Sequence, residues 1–231
     1  MGWVRAVVFD MDGTLLLLKV RWGDAMDKVR KMLGVEGRFL RLVRELWGSD
    51  RFRVFSSVVE EFELEAAENP HVYPGAVEAV ARVSERFDIG FVTMQGRRAA
   101  LKALERAGLL GYAKVIIARD DAPLRILQLV EAFRALGVSP FQGVVVADKV
   151  NDVCSAIAIG AQPVMVVHGR FSPAVSDTDD LAEDLEALGV PIVRSLAEVP
   201  RVVERLAADG PELVTRVISP WLRAAPRQRW L

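Results

Sequence analysis

Apolar and polar positions along the 231-residue chain follow two rhythms that alternate. Short continuous apolar runs, Val4–Phe9, Ile89–Thr93, Val115–Ala118, Gly143–Ala147 and Pro163–Val167, read as strands buried on both faces of a sheet. Between the later runs, apolar residues recur three and four apart, which predicts helices over Ala76–Arg86, Arg97–Ala107, Leu124–Leu136 and Asp152–Ile159. Gly108, Gly137 and Gly160 stand where three of these helices should stop. A helix over Thr178–Leu188, an edge strand at Ile192–Val193 and a helix over Leu196–Leu206 are expected after them. Repeated strand–helix alternation predicts a parallel, doubly wound α/β sheet with right-handed crossovers.

One stretch breaks the alternation. After the first strand, helical spacing appears three times in succession, over Asp24–Leu33, Arg38–Trp47 and Val54–Ala67, with no strand between. Such a block reads as a small all-helical cap inserted into the sheet domain. Asn69-Pro70 and Tyr73-Pro74-Gly75 mark the return to it. The expected organisation is an α/β core over residues 1–16 and 71–206, a helical cap over 17–70 and a C-terminal extension over 207–231.

The chemistry-bearing residues gather where strands end. The first run finishes in Asp10-Met11-Asp12-Gly13-Thr14. In open α/β sheets ligands bind beyond the carboxyl ends of the strands, and residues two apart in extended chain point the same way. Asp10 and Asp12 can therefore face one ligand, and a hard cation such as Mg2+ offsets their mutual repulsion. An N-cap role would account for one of the two carboxylates and not for both. A second acidic pair, Asp148 and Asp152, follows the run ending at Ala147, and Thr93 ends another.

Composition narrows the function classes. A formal net charge of −1 provides no field to recruit nucleic acid or an acidic membrane. No apolar run reaches the ~18 residues of a membrane span, and the chain enters a strand without a leader-like segment, so a cytoplasmic protein is expected. The single cysteine, Cys154, excludes an internal disulfide framework and fits a reducing compartment.

Asp10-x-Asp12-Gly13-Thr14 at a strand end, then Thr93, then Asp148-x-x-x-Asp152 after another strand, resembles the motif series of the haloacid dehalogenase-like (HAD) superfamily of phosphotransferases, over about residues 4–205. The resemblance implies that Asp10 is a nucleophile forming an aspartyl-phosphate. It implies that Asp12 is the general acid and base, a carboxylate that dehalogenases of the superfamily lack. Thr93 with Met94 and Gln95 would bind a phosphoryl oxygen. Asp10, Asp12, Asp148 and Asp152 would hold Mg2+, Asp12 through its backbone carbonyl and Asp152 directly or through water.

Three positions depart from the family pattern. Met94-Gln95 replaces the Asn that often follows the Thr, and Lys149 replaces a small residue after Asp148. The family Lys upstream of the second acidic pair is absent; Arg125, after Asp120-Asp121, stands closest to its place. Either Arg125 or Lys149 would supply the missing cation.

The expected function is Mg2+-dependent hydrolysis of a small phosphorylated metabolite, by a monomer or homodimer of the phosphoglycolate phosphatase-like branch. The alternatives are a phosphosugar mutase and a non-catalytic member that binds a phosphorylated ligand or a protein. Trp22 and Trp47 are expected to pack the cap and Arg21, Arg51 and Arg53 to face solvent, with closure over the site and reading of the leaving group as the alternative, and neither His71 nor His168 is expected to take part in catalysis. The segment Ser219–Leu231, with three arginines and two tryptophans, is expected to be a partly ordered tail.

Overall fold

The computed structural model describes residues 3–168 and 184–210. A six-stranded parallel sheet carries the fold, in the order β5-β4-β1-β6-β7-β8. These strands are β1 (Ala6–Asp10), β4 (Asp88–Val92), β5 (Val115–Ile117), β6 (Gly143–Ala147), β7 (Gln162–Val166) and β8 (Ile192–Val193). Crossover helices are α4 (Ala76–Ser84), α5 (Arg97–Arg106), α6 (Arg125–Leu136) and α7 (Val150–Ile159), and α8 (Val199–Asp209) closes the described chain. The expected strands and helices are present, most with ends shifted by one or two residues; the helix expected over Leu196–Leu206 is displaced by three at each end, and that expected from Val54 begins four residues earlier, at Asp50. The last helix is entered through a 3-10 turn at Leu196–Glu198, capped by the Ser195 side chain. Of the helix expected at Thr178–Leu188, residues 184–187 are helical and the earlier part lies outside the described residues, as does the Ser219–Leu231 tail.

Burial follows the pleat. Along β1, Val7 and Phe9 enter one apolar cluster with Val80, Leu104 and Val203, from helices α4, α5 and α8. Ala6 and Val8 enter another with Leu129 and Phe133 of α6 and Ala156 of α7. Both faces are covered, which is why the strand sequence is apolar throughout rather than alternating.

Between β1 and β4 lie the helices α1 (Trp22–Leu33), α2 (Phe39–Leu46) and α3 (Asp50–Ala66). They have their own apolar cluster, including Met26, Val29, Leu42, Val43, Phe55 and Val59, and Met94 of the sheet domain packs against it. The chain leaves and re-enters the core through a two-stranded antiparallel ribbon, β2 (Leu16–Leu17) with β3 (His71–Val72). Two-residue strands are too short to show a period, so the sequence gives no sign of this ribbon.

Candidate active site

Register brings the expected residues to one edge of the sheet. Asp10 pairs with Val92 and Phe9 with Val146. Thr93, directly after β4, and Asp148, directly after β6, therefore flank Asp10 at neighbouring strand ends. The chain crosses from β5 on one side of β1 to β6 on the other, so the site lies where the strand order reverses.

A cavity of about 430 Å3 opens there, lined by Asp10, Asp12, Thr93, Met94, Gln95, Arg125, Lys149 and Asp152 together with cap residues. Asp148 is buried beneath it and tied to Asp10 through Thr14. The Thr14 hydroxyl lies 2.9 Å from Asp148 Oδ1 and 3.3 Å from Asp10 Oδ2. The turn between them requires glycine: Gly13 has φ of +99°, and a Cβ there would stand 2.3 Å from Asp148 Oδ2.

Both candidate cations reach the site, at different places. Arg125, in the first turn of α6, donates from Nη2 to Asp10 Oδ1 at 2.5 Å, from Nε to Asp152 Oδ1 at 3.0 Å and from Nη1 to Gln128 Oε1 at 3.0 Å. Gln128 in turn donates to the Thr93 carbonyl at 2.8 Å. Lys149 donates from Nζ to the Asp12 carbonyl at 3.0 Å and lies 3.6 Å from Asp148 Oδ1. Burial opposes the charge on both side chains, yet the surrounding carboxylates, Asp10 foremost, hold both pKa values above their ordinary range.

The acids' pKa values rise as well, and for them the rise disfavours the charged form. Burial pushes Asp12 up to about 6, against the Leu18 backbone N–H that donates to its Oδ1 at 2.8 Å. Asp148 and Asp152 are raised by the same cause, against the pull of Lys149 and Arg125 respectively. Asp12 Oδ1 is occupied by that N–H, and no hydrogen bond within the described residues engages Oδ2.

The donors suit a hard divalent cation. Asp10 and Asp148 supply carboxylates and Asp12 a carbonyl, while Asp152 Oδ2 is buried without a hydrogen-bond partner. No three Asp, Glu, His or Cys side chains among the described residues converge tightly enough to hold a metal unaided. Mg2+ does not ask for that: it is held by one or two carboxylates and keeps several waters. The Gln95 amide is also buried and unpartnered at both its nitrogen and its oxygen, and it lines the cavity. Buried polar atoms of this kind call for a ligand or water.

Two features were not anticipated from the sequence. Arg119 is fully buried and spends every donor. It forms a fork on Glu63 of α3 at 2.7 and 3.0 Å and bonds the Ser56 hydroxyl, the Ser56 carbonyl and the Met94 carbonyl. Glu63 also accepts from the Gly96 N–H at 2.9 Å, so the pair fastens α3 to the loop that carries Thr93. The signal was available: Glu63 falls on the buried stripe of α3 with Phe52, Phe55, Ser56 and Val59, and an acid there requires a partner. The other is His168, whose ring stacks on Tyr73 at 3.8 Å and whose Nε2 lies 2.8 Å from the Thr14 carbonyl. It supports the loop that holds Asp148.

In the cap, Arg21, Arg51 and Arg53 make surface contacts with Asp24 and Glu65, the Leu33 carbonyl and Asp50. Trp47 packs on Phe52. Trp22 differs from the expectation of cap packing alone, because it also lines the cavity.

The chain belongs to the haloacid dehalogenase-like hydrolase family, whose model matches residues 4–160. It is a HAD-type phosphatase. It is similar to the phosphoglycolate phosphatase of Chromobacterium violaceum, 25% identical over 221 residues that make up 85% of this chain and 95% of the relative. It is similar also to that of Aquifex aeolicus, 27% identical over 72% of this chain and 86% of the relative. Among solved structures, a putative beta-phosphoglucomutase from Thermotoga maritima superposes with a TM-score of 0.59 at 27% identity, covering 88% of this chain and all of the other. A HAD phosphatase from Thermococcus onnurineus shares the fold, with a TM-score of 0.57 at 23% identity over 87% of this chain and 98% of the other. No helix among the described residues is long and apolar enough to cross a membrane.

Proposed function

We propose that the chain hydrolyses a phosphomonoester of a small metabolite through an aspartyl-phosphate on Asp10, with Mg2+ bound, and that residues 17–70 act as a cap over the site. The observation that carries this reading is the Arg125–Asp10 contact at 2.5 Å at the floor of a cavity that Asp12, Thr93 and Asp152 also line.

Asp10, the Asp12 carbonyl and Asp148 would hold Mg2+, which when bound neutralises charge on the phosphoryl oxygens. Asp10 attacks phosphorus; the Asp–P bond forms as the ester P–O bond breaks. Asp12 delivers its proton to the departing alkoxide. Water then attacks the same phosphorus, Asp12 takes its proton, and inorganic phosphate leaves Asp10 free. Thr93 and Gln95 hold phosphoryl oxygens, and Arg125 fixes the nucleophile and offsets the gathered negative charge. A cytoplasmic location is consistent with this substrate class and with the lone Cys154.

Phosphosugar mutase is the second reading, favoured by the Thermotoga maritima structure. The two separate by where the phosphoryl group goes. Incubation of phosphomonoesters with the protein and Mg2+ should release inorganic phosphate, and calorimetry should show Mg2+ binding that Asp148→Asn weakens. Retention of phosphate on sugar without release would favour the mutase, and Mg2+ binding unaffected by Asp148→Asn would remove that residue from the metal site.

A further inference from the structure

We infer that the leaving group of the substrate carries a large apolar body, aromatic in preference, rather than the short acid of the phosphoglycolate phosphatases that this chain resembles; the inference rests on the phosphatase reading above. Apart from the carboxylates, cations and phosphate-binding residues, the cavity is walled by Trp22, Phe39 and Leu40 from the cap and by Met94, Pro123 and Leu124 from the core. Trp22 and Phe39 lie with ring centroids 5.0 Å apart at 56°, forming an aromatic corner. Trp22, Leu40 and Leu124 leave 38%, 54% and 38% of their surface uncovered. Three large apolar side chains exposed around one cavity form a patch of the kind that marks a binding groove. The cavity volume falls within the roughly 300–1,000 Å3 typical of pockets that enclose ligands much larger than a two-carbon acid.

Charge in the lining agrees. Arg125 and Lys149 are committed to Asp10, Asp152, Asp148 and the Asp12 carbonyl. Arg44 is the lining cation with no carboxylate within 4.0 Å among the described residues; its Nε donates to the Leu40 carbonyl at 3.2 Å. The rival assignment gives Arg44 the carboxylate of a short acid, and then the uncovered surface of Trp22, Leu40 and Leu124 would face water with the substrate bound. Covering that surface is favourable in proportion to its area, so the apolar leaving group is the better match.

The test compares primary-alcohol esters, whose leaving groups differ little in basicity. With wild-type protein and Mg2+, kcat/KM for 2-phenylethyl phosphate should exceed that for ethyl phosphate by about tenfold or more, and should exceed that for phosphoglycolate. Calorimetry with uncleavable analogues should give 3-phenylpropylphosphonate a Kd about tenfold below that of propylphosphonate. Leu40→Asp, at an exposed position where folding is not at risk, should erase most of both preferences. Equal values across the esters and phosphonates, or phosphoglycolate preferred with Arg44→Ala removing that preference, would overturn the inference. If no ester is turned over yet the phenyl phosphonate still binds more tightly, the hydrolase reading fails and the apolar pocket stands.

Discussion

Arg125 and Asp10 are 115 residues apart in sequence and meet in a buried ion pair, Nη2 to Oδ1 at 2.5 Å. The same guanidinium holds Asp152, so one side chain from α6 orients both the carboxylate that ends β1 and the one in the first turn of α7. A lysine in this place would have one ammonium to divide among three acceptors. The planar fork of arginine serves Asp10, Asp152 and Gln128 at once.

Replacing Arg125 by Ala should lower kcat/KM by at least tenfold, about 1.4 kcal/mol of barrier. Arg125→Lys should recover only part of it. Lys149→Ala should cost less, because Lys149 touches the Asp12 carbonyl and Asp148 rather than Asp10. Steady-state kinetics on folded variants decide the order; a greater loss from Lys149→Ala would transfer the role of the clamp to that residue.

Asp10→Asn should abolish turnover, by several orders of magnitude, since it removes the attacking oxyanion while keeping the shape of the side chain. Arg125 retains its contact with Asp152, so circular dichroism should stay that of the wild type. Phosphatase activity near the wild-type level in such a protein would exclude the covalent route.

The Arg119–Glu63 pair predicts a large stability effect away from the chemistry. Glu63→Ala leaves a buried guanidinium without its carboxylate and should cost about 3–5 kcal/mol. An Arg119→Met, Glu63→Leu double variant removes both charges and should recover much of that loss. Denaturant midpoints measure both. A single variant as stable as the wild type would show that the pair contributes nothing to holding α3 on the Thr93 loop.

His168 predicts a pH dependence. Burial lowers its pKa below the ordinary 6.5, against the Thr14 carbonyl, which favours protonation. The unfolded chain therefore binds the proton more readily than the folded one. The stability contributed by a neutral His168 is complete above about pH 6.5 and is lost as pH falls through the folded pKa. The Tm advantage of wild type over His168→Gln should shrink between about pH 7 and pH 5. A difference that holds constant across that range would mean that the ring does not titrate differently in the two states.

Much of the fold was legible in local patterns. Apolar runs of four to six residues, separated by helical spacing and stopped by glycines, define the main strands and helices because burial on two faces and burial of one stripe leave different periods. That Asp10, Asp12, Thr93 and Asp148 gather at one edge of the sheet was legible for a related reason: a strand end is a local event, and parallel strands bring their carboxyl ends to the same edge. What no local pattern carries is which side chain from a distant element completes the site. Whether Arg125 or Lys149 reaches Asp10 depends on how α6 docks on the sheet, and the sequence left both open. Glu63 and Arg119 showed the same limit in part: the apolar stripe of α3 marks Glu63 as an acid in need of a partner, but only the packing of α3 against the loops after β4 and β5 makes Arg119 that partner.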